Sequence, residues 1–297
     1  MEKFKLKYAE KSDTDFIDEM LKCSFNDDEM GIGYPRYDNI KDLEAEIEDY
    51  DSTLKEAIQI IYDKDKPIGI CGFLYEEGSA SGYIFGPVVK REYHNVDNLK
   101  EIIENMLENN RFDIGKIHAA PLDGNKVLNK AYEDQGFIYR NDHRVMRCNI
   151  DGNRRQEQWK VTNIDNKELL ENLQIFNLLD EGFHWEGSRD DFNDLLSDDY
   201  YGACVYDDNE DVMGFVTWSI MEENTCCDLE YLVVDKKYRK RGIGEALIHH
   251  VINFATEKGR KEVELCTQVG NKAADLYRNQ GFKDILVMRH LTLNEAK

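Results

Sequence analysis

The feature that most constrains this chain is that it repeats itself. "NKVLNKAYEDQGF", Asn125 to Phe137, matches "NKAADLYRNQGF", Asn271 to Phe282, with one residue of slack. Each copy is followed by Val-Met-Arg, at Val145-Met146-Arg147 and at Val287-Met288-Arg289. Upstream, "PVVKREYHNVDNLKEII" aligns without a gap on "LVVDKKYRKRGIGEALI" and sets Tyr93 opposite Tyr238, a separation of about 145 residues. Two copies of one domain are therefore expected, and a length of 297 residues suits two cores of about 150 residues each. The join is expected in the polar "NIDGNRRQEQ", Asn149 to Gln158, which carries a Gly and has no hydrophobic period, giving domains over residues 1–150 and 157–297.

The second half shows what such a domain contains. "QWKVTNI" reads as a strand and "NKELLENLQIFNLLDE" as one amphipathic helix with apolar residues near i, i+3, i+4 and i+7. "SRDDFNDLLSD" reads as a further helix with a Ser cap. Strands follow at "YGACVYD", "VMGFVTWSI" and "CDLEYLVVD", then a helix through about Thr256, the strand "KEVELCTQ", the helix "NKAADLYRNQ" and the strand "DILVMRHLTL". Hairpins in the middle and helical crossovers at the end predict an α+β class. Each tandem domain is expected to hold a mixed, mostly antiparallel sheet flanked by helices.

Charge and cysteine content exclude several functions. Asp and Glu number 60 against 38 Lys and Arg, a net charge of -22, so the surface repels phosphate backbones and nucleic acid is not an expected partner. No apolar run approaches the roughly 18 residues of a membrane span, and "MEKFKLKYAEKSD" lacks the apolar core of a signal peptide. A cytoplasmic protein without a membrane partner is expected. The seven cysteines show no CxxC or Cys/His ligand spacing, which predicts neither a disulfide framework nor a metal site.

Against that acidity one basic cluster stands out. In "DKKYRKRGIGEALIHHVINFA", Lys236, Lys237, Arg239, Lys240 and Arg241 lead into Gly242-Ile243-Gly244 and a helix. A strand feeding such a turn aims unpaired N–H groups and the positive helix end at one spot, and glycine lets an anion approach the backbone. Two arginines suit a diphosphate. Other phosphate motifs fail in detail: GxxxxGK[ST] is absent, and Leu247 stands where a dinucleotide fold needs its third Gly. The earlier Gly31-Ile32-Gly33 precedes Pro35 and no helix pattern, and reads as a loop.

The loop Arg239-x-x-Gly242-x-Gly244, followed about 30 residues later by Asn271, Tyr277, Gly281 and Phe282, resembles the GCN5-related N-acetyltransferase (GNAT) superfamily, whose cofactor loop reads [Q/R]xxGx[G/A]. The resemblance covers about Trp159 to Leu293. It implies acetyl-CoA as cofactor, with its pyrophosphate on Arg239, Lys240, Arg241, Gly242, Ile243 and Gly244. The pantetheine would run beside Leu232, Val233 and Val234, and the thioester carbonyl would be held by a backbone N–H near Leu232, with Asn271 and Tyr277 close to the cofactor. The two-domain plan is similar to that of mycothiol synthase, with chemistry in the second domain.

What this implies is N-acetyl transfer to a primary amine of a small molecule or peptide. An ammonium must lose a proton before it attacks a thioester. Asp228 and Glu230 share one strand face and are the candidate bases, Glu230 slightly ahead of Asp228; one or both could instead balance nearby basic residues or bind the substrate ammonium. Tyr277 could protonate or hydrogen-bond the leaving thiolate, or serve as a core aromatic, and Asn271 could cap its helix. Cys226 and Cys227 have no neighbouring His, which favours direct transfer over a covalent route. The acceptor wall is expected in "DEGFHWEGSRDD" and the facing hairpin: Phe183, Trp185, Trp218 and Glu222, with His184, Glu186, Asp190 and Asp191 beside them.

The first half departs where the anion would sit. His94 falls opposite Arg239, Asp97 opposite Gly242 and Leu99 opposite Gly244, although Tyr132 remains opposite Tyr277. Residues 1–150 are therefore expected to be a degenerate copy without the cofactor loop. Two other readings stay open at this point, a non-catalytic acyl-CoA sensor and an interaction protein.

Overall fold

Runs of β-branched and aromatic residues form the strands, and the residues between them decide how each strand is reached. The computed structural model describes residues 3–111, 114–183, 200–220 and 226–294. Contacts divide the chain into one unit of Met1–Arg144 with Leu286–Lys297 and a second of Val145–Ile285.

In the first unit, β1 (Phe4–Tyr8), β3 (Ile58–Asp63), β4 (Lys66–Leu74) and β5 (Ser81–Val89) pair antiparallel in that order. The 13-residue helix α4 (Val96–Glu108) then carries the chain across, so β6 (Lys116–Pro121) lies parallel to β5. α1 (Thr14–Phe25), α2 (Ile40–Glu48) and the short α3 (Leu54–Ala57) contribute Ile17, Leu21, Leu43, Ile47 and Ala57 to the core, while α4 contributes Leu99 and Ile102 and α5 (Lys126–Asp134) contributes Leu128 and Tyr132. Gly31-Ile32-Gly33 is not a plain loop: Ile32–Tyr34 forms the short strand β2 on β6. A side chain at Gly33 would lie 2.4 Å from Met288 Cβ, so only glycine admits that pairing.

A single cut at the join does not describe the units. The last strand of the first unit's sheet is the end of β13 (Lys283–Asn294), with Leu291 opposite Ala119 and Asn294 opposite Lys116. Leu291 is fully buried in that core. Residues 145–150 go the other way, and Ile150 N–H donates to the Lys261 carbonyl within the second unit. Strand pairing, which sequence order does not display, draws these ends into the units that need an edge covered.

In the second unit, β8 (Thr162–Ile164), β9 (Tyr200–Tyr206), β10 (Val212–Ser219) and β11 (Cys226–Val234) are antiparallel neighbours. α8 (Ile243–Glu257) crosses to β12 (Glu262–Gln268), parallel to β11, and α9 (Ala273–Asn279) precedes β13. One face of the sheet packs Val216, Trp218 and Leu229 against Leu247 and Val251 of α8 and Tyr277 of α9. The other packs Phe215 and Val233 against Ile175 and Leu179. The helix expected over "NKELLENLQIFNLLDE" is two, α6 (Asn166–Glu171) and α7 (Leu173–Phe183). Asn172 between them takes extended angles, φ -80 and ψ 105, and its side chain accepts from the Gln174 N–H at 2.9 Å, which starts a new helix. The helix expected over "SRDDFNDLLSD" lies outside the described residues. Among the described residues no helix is long and apolar enough to cross a membrane.

Candidate functional site

The site begins where two strands separate. β11 and β12 pair only at Cys226 with Glu262, Cys227 with Val263 and Asp228 with Glu264. Beyond Asp228 no further pair joins them among the described residues. The register of β11 on β10 jumps from Tyr231 opposite Thr217 to Leu229 opposite Trp218, which makes Glu230 the extra residue of a β-bulge. Bulges bend their strand, and this one turns β11 away from β12. The Tyr231 N–H donates to the fully buried Thr217 hydroxyl at 3.2 Å, replacing part of the interrupted ladder.

Carboxylates gather at the fork. Asp228 faces away from α8, beside Glu264 on β12, and Arg147 on β7 (Ile138–Asn149) reaches Glu264 at 2.6 Å and Glu262 at 3.2 Å. Loss of hydration, then the charges of Glu230 and Glu264, push the Asp228 carboxyl up to about 7, with Arg147 opposing. Glu230 keeps solvent access at the mouth, yet the protein around it strips enough water to raise its pKa, against a hydrogen bond donated by Ser219 at 3.2 Å. An arriving ammonium would relieve the repulsion.

The start of α8 is bare. Lys240 and Gly242 both take left-handed angles, φ 63 and 82, and the first helical bond runs from the Ala246 N–H to the Gly242 carbonyl at 3.0 Å. Gly242, the N-cap, has no side chain to accept from the amides of Ile243, Gly244 and Glu245. A Cβ on Gly244 would come within 3.0 Å of Leu276 Cδ2 and 3.7 Å of Val234, closing space that glycine leaves clear. Of the five basic residues, Lys236 pairs with Glu181 at 3.2 Å and Lys237 with Asp235 at 3.6 Å. Arg239, Lys240 and Arg241 form no ion pair among the described residues, and Arg239 Nε is steadied by the Val234 carbonyl at 2.9 Å. Three cations and a fan of amides fit a diphosphate.

The first unit lacks this arrangement for physical reasons. Asn95 caps α4 by accepting the Asn98 N–H at 3.1 Å, Asp97 sits in the first turn, and Leu99 is fully buried. Tyr132 donates its hydroxyl to the Gly86 carbonyl on β5.

Tyr277, its repeat counterpart, is only 7% exposed and is pushed up to about 12 by burial alone. Its hydroxyl therefore stays protonated at any working pH. Asn271 Oδ1 accepts the Ala273 N–H at 3.0 Å and so shapes the start of α9. Burial raises the thiols of Cys226 and Cys227 far above the thiolate range.

The remaining expected residues divide. Phe183 ends α7 exposed and edge-on to Tyr231, ring centroids 5.1 Å apart. A side chain at Gly182 would lie 3.1 Å from Val233, so glycine permits that close approach of α7. Trp218 is not an acceptor residue: it is 1% exposed, enclosed on the α8 face by Tyr201, Phe254 and His250. Strand alternation points it into the core. Val233 likewise turns its side chain into the α7 core and Ile243 into the α8 core, leaving only backbone to a ligand, while Leu232 and Val234 are half-buried on the α8 side. Trp185, Glu222, His184, Glu186, Asp190 and Asp191 lie outside the described residues. Sequence reading passed over Glu264, Arg147, Ser219 and Thr217. The alternation of "EVELC" on β12 was the available signal for Glu264; the others needed the register.

Residues 171–282 match the acetyltransferase (GNAT) family. An uncharacterized N-acetyltransferase of Methanocaldococcus jannaschii is 36% identical over 104 residues, 33% of this chain and 46% of that protein. The chain spans less than half the length of the curated relatives it matches. Among solved structures, a GCN5-related N-acetyltransferase from Sphaerobacter thermophilus superposes with a TM-score of 0.72 at 14% identity, covering 99% of this chain and 96% of that one. A tandem GNAT protein from the clavulanic acid biosynthesis pathway gives 0.64 at 10% identity over 99% of both chains. At such identities these two likenesses concern the fold.

Proposed function

We propose, from the match of residues 171–282 to the acetyltransferase (GNAT) family, that the second unit is an acetyl-CoA-dependent N-acetyltransferase acting directly on a primary amine of a small molecule or peptide. The observation that carries this reading is the fork after Asp228, which lies between carboxylates on one face and the bare start of α8 beyond it.

Acetyl-CoA supplies the acetyl group as an activated thioester. The amides of Gly242, Ile243 and Gly244, with Arg239, Lys240 and Arg241, hold its diphosphate, and the unpaired edge of β11 from Leu232 to Val234 lies along the pantetheine. Asp228 takes the proton from the acceptor ammonium. A base poised near neutrality suits that work better than an ordinary carboxylate, whose conjugate acid is too strong. Glu230 and Glu264 hold the cation in place, and Phe183 with Tyr231 offers it an aromatic edge. Tyr277 donates a hydrogen bond to the departing sulfur. With its pKa at about 12, full transfer of its proton to a thiolate of pKa about 8.5 runs uphill.

Thiol release from acetyl-CoA with a panel of primary amines tests the proposal. Release that depends on one amine class, and is lost in Asp228→Asn, is expected. Tight CoA binding with no release for any amine would leave the chain an acyl-CoA sensor.

A further inference from the structure

We infer that Trp159 is a positioning residue for the diphosphate loop, an assignment that rests on reading Arg239–Gly244 as that loop. Residues 149–158 have no hydrophobic period and mark the join in the sequence, yet within the second unit the stretch from Arg155 to Trp159 is strapped along α8. Asn253 clamps the Arg155 peptide from both sides, accepting its N–H at 2.7 Å and donating to its carbonyl at 3.0 Å. His249 Nδ1 lies 2.8 Å from the Gln156 carbonyl. Asn253 and His249 are 4% and 9% exposed, and buried polar groups one turn apart on an otherwise apolar helix face are costly unless they are bonded in this way. The strap is therefore a built feature.

The strap ends on the loop. Trp159 Nε1–H donates to the Arg241 carbonyl at 2.8 Å. In a planar trans peptide the C=O and the following N–H point in opposite directions. Anchoring the Arg241 oxygen towards Trp159 thus turns the Gly242 N–H away from the strap, and Gln158 Oε1, 3.1 Å from where a Gly242 Cβ would stand, closes the strap side further. Gly242, on one side of that peptide, is in the left-handed region, as is Lys240 one residue before the other side, and no regular helical bond holds the peptide's plane there. Trp159 supplies the missing restraint, so the amide is already aimed before a diphosphate arrives.

Calorimetry on the full chain with CoA and with pantetheine, which lacks the diphosphate, tests this. Trp159→Phe keeps a ring and loses the donor. It should weaken CoA about fivefold, the worth of one hydrogen bond, leave pantetheine affinity and the thermal midpoint unchanged, and be partly rescued by Trp159→His, which restores a ring N–H. Wild-type affinity for CoA in Trp159→Phe overturns the inference, as does equal weakening of both ligands. If the wild type binds CoA no better than pantetheine, the loop is not the diphosphate site and the inference falls with that reading.

Discussion

At the scale of single residues, Tyr277 and Asp228 carry opposite burdens. Tyr277 is a neutral donor, so Tyr277→Phe removes only the hydroxyl. It should lower kcat by roughly 10²-fold with CoA affinity nearly intact, as steady-state rates and calorimetry together would reveal. Asp228 is a carboxyl whose pKa rises from 3.8 to about 7 on folding. The native chain therefore holds a proton there between about pH 4 and 7 that the unfolded chain releases, and stability from this group declines as pH rises through that window. Asp228→Asn should raise the thermal midpoint at pH 8 and change it little at pH 4. Its rate should fall most at low pH and partly recover as rising pH deprotonates the amine unaided. A midpoint gain that does not depend on pH would contradict the assignment.

At the scale of elements, α4 and α8 occupy equivalent places and start differently. The Asn95 side chain caps α4 at the Asn98 amide, and α8 starts at Gly242 with no side-chain cap. Asn95→Ala should cost about 1 kcal/mol in urea unfolding and leave CoA binding unaltered. Gly242→Asp, the residue the other copy carries at Asp97, brings a side chain against Gln158 and a like charge against a diphosphate. CoA affinity should drop at least tenfold with an unchanged circular dichroism spectrum; retained affinity would put the anion elsewhere.

For the whole molecule, the asymmetry between copies predicts a stoichiometry. One CoA should bind per chain, since the first unit has a capped helix and a tyrosine committed to Gly86. Two equivalent calorimetric sites would refute this. The end of β13 predicts a stability effect within the first unit. Leu291 fills the first unit's core, so Leu291→Ala should cost about 2–5 kcal/mol in urea unfolding while CoA binding by the second unit persists.

Much of this was legible in the order of residues. The repeat, the strand-turn-helix at Gly242 and the pairing of Tyr132 with Tyr277 are local patterns, and local patterns survive in one dimension because a strand alternates and a helix turns with fixed periods. The mixed sheet followed from them. What only the tertiary structure decided depends on which strands meet. The bulge at Glu230 exists only in register with β10, and the fork exists only because β12 lies beside β11. Burial turned Trp218 from an open aromatic into core, and folding brought Lys236 to Glu181 at the surface. Asp228 near neutrality depends first on burial and then on the charges of Glu230 and Glu264, and both the burial and the nearness of Glu264 come from how the strands pack. The exchange of residues 286–297 into the first unit follows from strand pairing alone, since a hydrophobic strand carries its period with it and the sheet edge it meets determines which core it completes.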